Sequence, residues 1–255
     1  MRDLLVTVCS IVLIPLLPLL YVQGRMVRRR TPKVPEAAGP PTGRVQGGGP
    51  PLRLVVIGES TVAGVGAPTH AEALTGQLAV AIARKRQRAV QWQALGRSGI
   101  SARDAFDLLV PELNQTQADW VVLALGVNDV LRFRSPPGWQ KDLRQLIDAL
   151  RQKLGMVPII LAPVPRMQHF PALPQPLRSI LGLRARLLDQ AACALAGRLP
   201  HVVHVPFTIA PEAKGLYCLD GFHPSVKGYA AWAEQLAAAV PASGSESTVG
   251  DQRIK

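Results

Sequence analysis

Five short apolar runs, residues 52–57, 91–95, 120–125, 157–162 and 202–205, alternate along the chain with stretches whose apolar residues recur every three or four positions. Nearly continuous apolar runs of this length predict strands buried on both faces. The stretches between them predict helices. Leu74, Leu78 and Ile82 form one stripe, Phe106, Leu109 and Leu113 a second, and Leu143, Leu146, Ile147, Leu150 and Leu154 a third, closed by Gly155. Two more helices are expected over 177–196 and from the N-cap Ser225 through Tyr229, Trp232, Leu236 and Val240. Five strand–helix units predict an α/β domain over residues 52–240: a three-layer α/β/α sandwich with a five-stranded parallel sheet, flavodoxin-like in its winding. Open sheets of this kind bind ligands at the carboxyl ends of their strands. Chemistry is therefore expected in the turns after strands one, two, three and five.

Two segments break this pattern. Residues 4–22 carry no charge for nineteen positions, close to the length that crosses a bilayer core. They predict a single-pass transmembrane anchor over 1–24, with Pro15 and Pro18 as kinks; a signal peptide is the competing reading, with a weak n-region because Asp3 offsets Arg2. Arg25, Arg28, Arg29, Arg30 and Lys33 follow at once, which places the domain on the cytoplasmic side by the positive-inside rule, the periplasmic or extracellular side being the alternative. Residues 25–51 form a basic, Pro/Gly-rich linker; its part 31–51, with little to bury, and the polar tail 241–255 are expected to be disordered.

Composition narrows the classes. The formal charge of +12 divides into +5 on residues 1–50 and +7 spread over the rest, which is no nucleic-acid footprint. The densest basic cluster in the domain, Arg84, Lys85, Arg86 and Arg88, closes a predicted helix, where cations favour the negative dipole end. Three cysteines, Cys9, Cys193 and Cys218, make neither a disulfide framework nor a metal-ligand spacing, so neither a structural metal nor a stapling disulfide is expected. His201 and His204 lack a neighbouring acid or thiol and read as strand-end histidines. The oligomeric state stays open.

The four turns at the carboxyl edge hold Gly58-Glu59-Ser60, Gly96-Arg97-Ser98-Gly99, Gly126-Val127-Asn128-Asp129 and Asp220-Gly221-Phe222-His223. Acyl transfer needs a hydroxyl nucleophile, an imidazole to take its proton, a carboxylate to hold the imidazole and donors for the oxyanion. Ser60 is the candidate nucleophile, His223 the base and Asp220 its partner. The oxyanion donors are the Ser60 N–H, the Gly99 N–H and the Asn128 side-chain amide. Each motif alone is a common turn; their coincidence at one sheet edge is what points to a site. The glycine-rich stretch 58–66 lacks the Gly-Lys-Ser/Thr of a phosphate loop and the Gly-x-Gly-x-x-Gly of a dinucleotide binder.

In order along the domain, "IGES", "GRSGIS", "LGVNDV" and "DGFHPS" resemble four sequence blocks of the SGNH hydrolases, the GDSL-type esterases and lipases. The resemblance implies Ser60, Gly99, Asn128, Asp220 and His223 in the roles just given, a serine-dependent ester hydrolase and no cofactor. Two positions depart from it. Glu59 stands where the family usually has aspartate, and Leu95 where many members carry an asparagine four residues before the second-block glycine.

Between the fourth strand and its helix, residues 163–179 hold five prolines and a set of apolar side chains. Met167, Phe170, Leu173 and Leu177 are expected to form part of an acyl pocket, or else to pack on the sheet. The substrate class is then a small-molecule ester or an acylated lipid or sugar. Two alternatives keep the same fold: an acyltransferase or deacetylase acting on sugar or lipid, and a tethered binding protein without turnover.

Overall fold

The computed structural model describes residues 2–114, 117–208 and 214–240, with side chains from residue 16 onward. Helix α1 (Arg2–Arg30) leads into strand β1 (Thr42–Val45) and strand β2 (Gly48–Gly58). The chain then alternates through α2 (Leu74–Arg86), β3 (Arg88–Gly96), α3 (Ala102–Glu112) and β4 (Trp120–Ala124). It continues through α4 (Val127–Leu131), α5 (Pro136–Leu154), β5 (Ile159–Leu161), α6 (Leu177–Ala196), β6 (Val202–His204) and α7 (Val226–Ala239).

The sheet has six strands in the order β1-β3-β2-β4-β5-β6. The five expected strands are all present and all parallel, with β2 central between β3 and β4. The five-stranded expectation is corrected by β1, which adds an antiparallel edge to β3 with Thr42 opposite Gln93 and Val45 opposite Val90. β2 alternates strictly, because successive side chains point to opposite faces. Val55 and Ile57 enter the core under α3, α5 and α6, whereas Leu54 and Val56 enter the core under α2 and α7. Burial on both faces explains the apolar run that betrayed the strand.

The linker expectation fails for the same stretch. Residues 25–30 continue α1, and residues 42–45 and 48–51 are strand. Ala37 and Ala38 donate backbone hydrogen bonds to Ala63 and Pro68, and Glu36 accepts the Ser98 N–H at 3.1 Å. The β3 edge offers unpaired backbone groups, and pairing with them needs no apolar side chain. Gly43 fits because a Cβ there would run into the Trp92 indole.

The expected membrane segment lies mostly outside the described side chains, since these begin at residue 16. Among the described residues no helix is long and apolar enough to cross a membrane. The end of α1 lies on the domain, with Leu20 and Gln23 buried against it. The tail from residue 241 lies outside the described residues. Arg84, Lys85 and Arg86 close α2 as expected and tie it to α7, Arg84 pairing with Glu234 at 2.5 Å and Arg86 donating to the Val240 carbonyl, whereas Arg88 opens β3 and donates to the Pro50 carbonyl.

Candidate active site

β2 ends against its neighbours so tightly that Gly58 has no room for a side chain: a Cβ would meet the Ala124 carbonyl and the Val62 methyl. The chain then turns at once. The Glu59 carbonyl accepts the N–H groups of Val62 and Ala63, and the Ser60 carbonyl accepts that of Val65. Behind this turn the buried Tyr229 of α7 donates its hydroxyl to the Val65 carbonyl at 2.5 Å. Ser60 is thus held by backbone on both sides.

Ser60 Oγ lies 3.0 Å from His223 Nε2, and His223 Nδ1 lies 2.6 Å from Asp220 Oδ2. The other Asp220 oxygen accepts the backbone N–H groups of Phe222 and His223 at 2.8 and 2.9 Å and the Cys218 thiol at 3.0 Å. Burial opposes the Asp220 charge, but the hydrogen bonds from His223, Cys218 and these backbone groups outweigh it and hold the carboxyl well below the usual carboxylate range. A carboxylate so held fixes the His223 ring and favours the proton on Nδ1, which leaves Nε2 free to accept from Ser60. The same contact, with burial as the larger cause, pushes the Cys218 thiol up to about 11.

Among the described residues, neither the Ser60 N–H nor the Gly99 N–H donates to a protein acceptor. Gly99 has φ +81°, a conformation that a side chain would strain even though a Cβ would meet nothing there. Its turn is braced by Arg132, whose guanidinium donates to the Gly99 carbonyl at 2.8 Å and to Asp104 at 2.6 Å. That brace comes from the end of α4.

Glu59 is buried and faces away from solvent into the start of α4. Its Oε1 accepts the Val127 N–H at 2.9 Å, and its Oε2 accepts both the Asn128 N–H at 3.0 Å and the Asn128 side-chain amide. Desolvation pushes its carboxyl up to about 7, against these hydrogen bonds, with the nearby Asp129 charge adding to the rise. One amide N–H of Asn128 is therefore anchored and the other is left to donate elsewhere. Asp129 is buried too, accepts the Ala102 N–H at 3.0 Å, and is pushed up to about 6, chiefly by burial.

Ser60 and His223 line an open cleft with about 620 Å³ of empty space, its mouth included. Of the four expected pocket residues only Phe170 lines it. Met167, Leu173 and Leu177 are corrected to core: Met167 opens a 3-10 turn (Met167–His169), Leu177 begins α6, and all three are buried in the core shared with α5 and α6. The apolar wall comes instead from Phe207, Leu216, Tyr217, Phe222 and Trp232. Phe170 meets Tyr217 and Phe222 edge to face, at centroid distances of 5.6 and 4.9 Å, and Phe222 meets the His223 ring at 5.3 Å. Phe222 carried a signal that sequence reading passed over, since a residue between Asp220 and His223 cannot leave the site. Phe207 and Trp232 carried none.

His204 is the satisfied strand-end residue that was expected. Its acid is Asp189 of α6, 2.8 Å away, which also accepts the Val164 N–H.

A family model described as the GDSL-like Lipase/Acylhydrolase family matches residues 56–231. No curated protein sequence matches the chain. Similar solved structures include TesA, at 20% identity and TM-score 0.58, covering 72% of this chain and 94% of that one. A lipase/acylhydrolase from Enterococcus faecalis is 19% identical with TM-score 0.53, over 73% of this chain and 94% of its own. Axe2, an acetylxylan esterase from Geobacillus stearothermophilus, is 18% identical with TM-score 0.50, over 74% and 94%. At these identities the likeness establishes a shared fold.

Proposed function

The chain belongs to the GDSL-like lipase/acylhydrolase family, and on that footing we propose that it hydrolyses carboxylic esters through an acyl-enzyme on Ser60. The observation that carries this reading is the continuous relay from Ser60 Oγ through His223 to Asp220, at 3.0 and 2.6 Å, between residues 163 positions apart in sequence.

In the first half-reaction Ser60 Oγ attacks the ester carbonyl carbon while His223 Nε2 takes the hydroxyl proton. The carbonyl oxygen becomes an oxyanion, to which the free N–H groups of Ser60 and Gly99 and the free amide N–H of Asn128 donate. The intermediate collapses, the C–O bond to the alcohol breaks, and His223 returns the proton to the leaving oxygen. Water then repeats the sequence on the acyl-enzyme, giving up a proton to His223 and releasing the acid and Ser60. Asp220 stays ionised throughout and stabilises the imidazolium.

The cleft wall of Phe170, Tyr217, Phe222 and Phe207 suits an apolar acyl group. We extend the proposal to a membrane-attached enzyme on the strength of the uncharged run 4–22 and the cations that follow it. That charge bias favours the cytoplasmic face, and protease protection of the domain in sealed inside-in vesicles tests the orientation.

A fluorophosphonate probe tests the chemistry. The wild type is expected to label and the Ser60→Ala variant not to; equal labelling of both overturns the nucleophile. A panel of acetyl, medium-chain and long-chain esters then ranks the acyl group, with products analysed in the presence of an added alcohol to reveal transfer in place of hydrolysis.

A further inference from the structure

Leu219, the residue before Asp220, is 97% exposed, the most exposed of the large apolar side chains among the described residues. The loop that carries it is joined to the segment that precedes α6. The Ala172 N–H donates to the Gly221 carbonyl at 3.0 Å, and the backbones lie so close that a Cβ on Gly221 would stand 3.2 Å from Pro171. That segment is held in turn by α1. The buried Gln23 side chain donates to the Gln175 carbonyl at 2.7 Å and accepts the Leu177 N–H at 3.2 Å. Leu16, Leu20 and Val27 share its face and pack on the core.

The clamp has two consequences. α1 is fixed to the domain next to the loop that carries Asp220 and His223, so it cannot act as a loose tether. Its outer face, Leu17, Leu19, Tyr21 and Val22, is left exposed. That face continues the uncharged run that begins at residue 4, and Arg25, Arg28, Arg29, Arg30 and Lys33 follow directly. An apolar helix face running into a cluster of cations matches one partner chemistry, acyl chains beneath anionic headgroups.

We infer that the outer face of α1 and the exposed Leu219 rest together on an anionic lipid bilayer, so that the cleft takes its ester from the lipid side. The substrate half of this inference rests on the ester-hydrolase reading; the contact does not. Gln23 transmits the orientation, because it ties the helix to the segment that abuts the loop of Asp220 and His223.

The full chain, reconstituted in phosphatidylcholine/phosphatidylglycerol vesicles, tests both halves. Leu219→Cys in a background with Cys9, Cys193 and Cys218 changed to serine carries an NBD fluorophore, and Gln87→Cys, at the opposite edge of the sheet, carries the control. Blue-shifted emission and quenching by spin-labelled lipid are expected at 219 and not at 87. A water-like probe at 219, or a chain that stays in the aqueous phase, overturns the contact. In the second arm, Leu219→Ser is expected to lower turnover of a long-chain ester in the bilayer about tenfold while turnover of a soluble acetate ester stays within about twofold. Equal losses on both esters, or none on either, overturn entry from the lipid. A wild type that turns over neither ester while its probe reports lipid sinks the hydrolase reading and leaves the contact standing.

Discussion

Glu59 and Asn128 are joined twice: one carboxylate oxygen accepts both the backbone N–H and the side-chain amide of Asn128. The residue before Ser60 thus sets the direction of the Asn128 side-chain amide, 69 positions later in the chain. Glu59 stands where the family usually has aspartate, and its carboxylate reaches the first turn of α4.

Replacing Glu59 by alanine removes the acceptor for three N–H groups and frees the Asn128 amide to rotate. The expected loss in kcat is on the order of 10²-fold, similar to deleting an oxyanion donor. KM should move far less, because the donor acts on the transition state. Steady-state kinetics on a soluble ester separate the two, and a variant whose KM rises while kcat holds contradicts the assignment.

Burial raises the Glu59 carboxyl from 4.5 to about 7, so between these values the native protein keeps a proton that the unfolded chain has released. Stability from this group is therefore lost as pH rises through the window. Glu59→Gln has no such titration, and Asp129, raised in the same direction, is common to both proteins. On going from pH 8 to pH 5 the wild type should gain about 2–3 kcal/mol relative to Glu59→Gln, at 1.36 kcal/mol per unit. Denaturant unfolding of both proteins at the two pH values measures it.

Asp220 accepts four hydrogen bonds, and one of them sets the His223 ring. Asp220→Asn keeps the shape but presents a donor toward His223 or loses the tautomer that leaves Nε2 free. A fall of about 10⁴-fold in kcat is expected. Fluorophosphonate labelling of this variant should slow in proportion, since the loss lies in activation of Ser60.

Phe170 and Leu173 separate pocket from core. Phe170→Ala opens the cleft beside Tyr217 and Phe222, and the ratio of medium-chain to acetyl ester kcat/KM should change by about tenfold. Leu173→Ala leaves that ratio alone and costs about 2–5 kcal/mol of stability. A Leu173→Ala variant with an altered chain-length profile would return that residue to the pocket.

The pocket shows where sequence reading lost its grip. Met167, Leu173 and Leu177 are apolar and sit in or next to the right loop, but nothing in their spacing reveals that all three are buried in the core rather than facing the cleft. The linker is a second case. Gly43 and its neighbours carry no hydrophobic signal, because β1 is held by backbone pairing with β3, which composition does not record. His204 is a third: its acid lies on α6, fifteen residues earlier in the chain, and only folding brings Asp189 to it.

The chain's own pattern was enough for the five parallel strands and for picking out Ser60, Asp220 and His223, which the fold joins by hydrogen bonds. Strands buried on both faces must be apolar throughout, and the turns at their carboxyl ends must then carry whatever polar groups the site needs. Those are local constraints, written residue by residue. The antiparallel edge strand, the aromatic wall and the clasp of Glu59 on Asn128 depend on which surfaces meet across 30 to 70 positions or more. Long-range contact leaves no period in a sequence. It took the folded sheet to show that Ser60 and His223 are 3.0 Å apart and that Gln23 fastens the first helix beside the segment that leads to them.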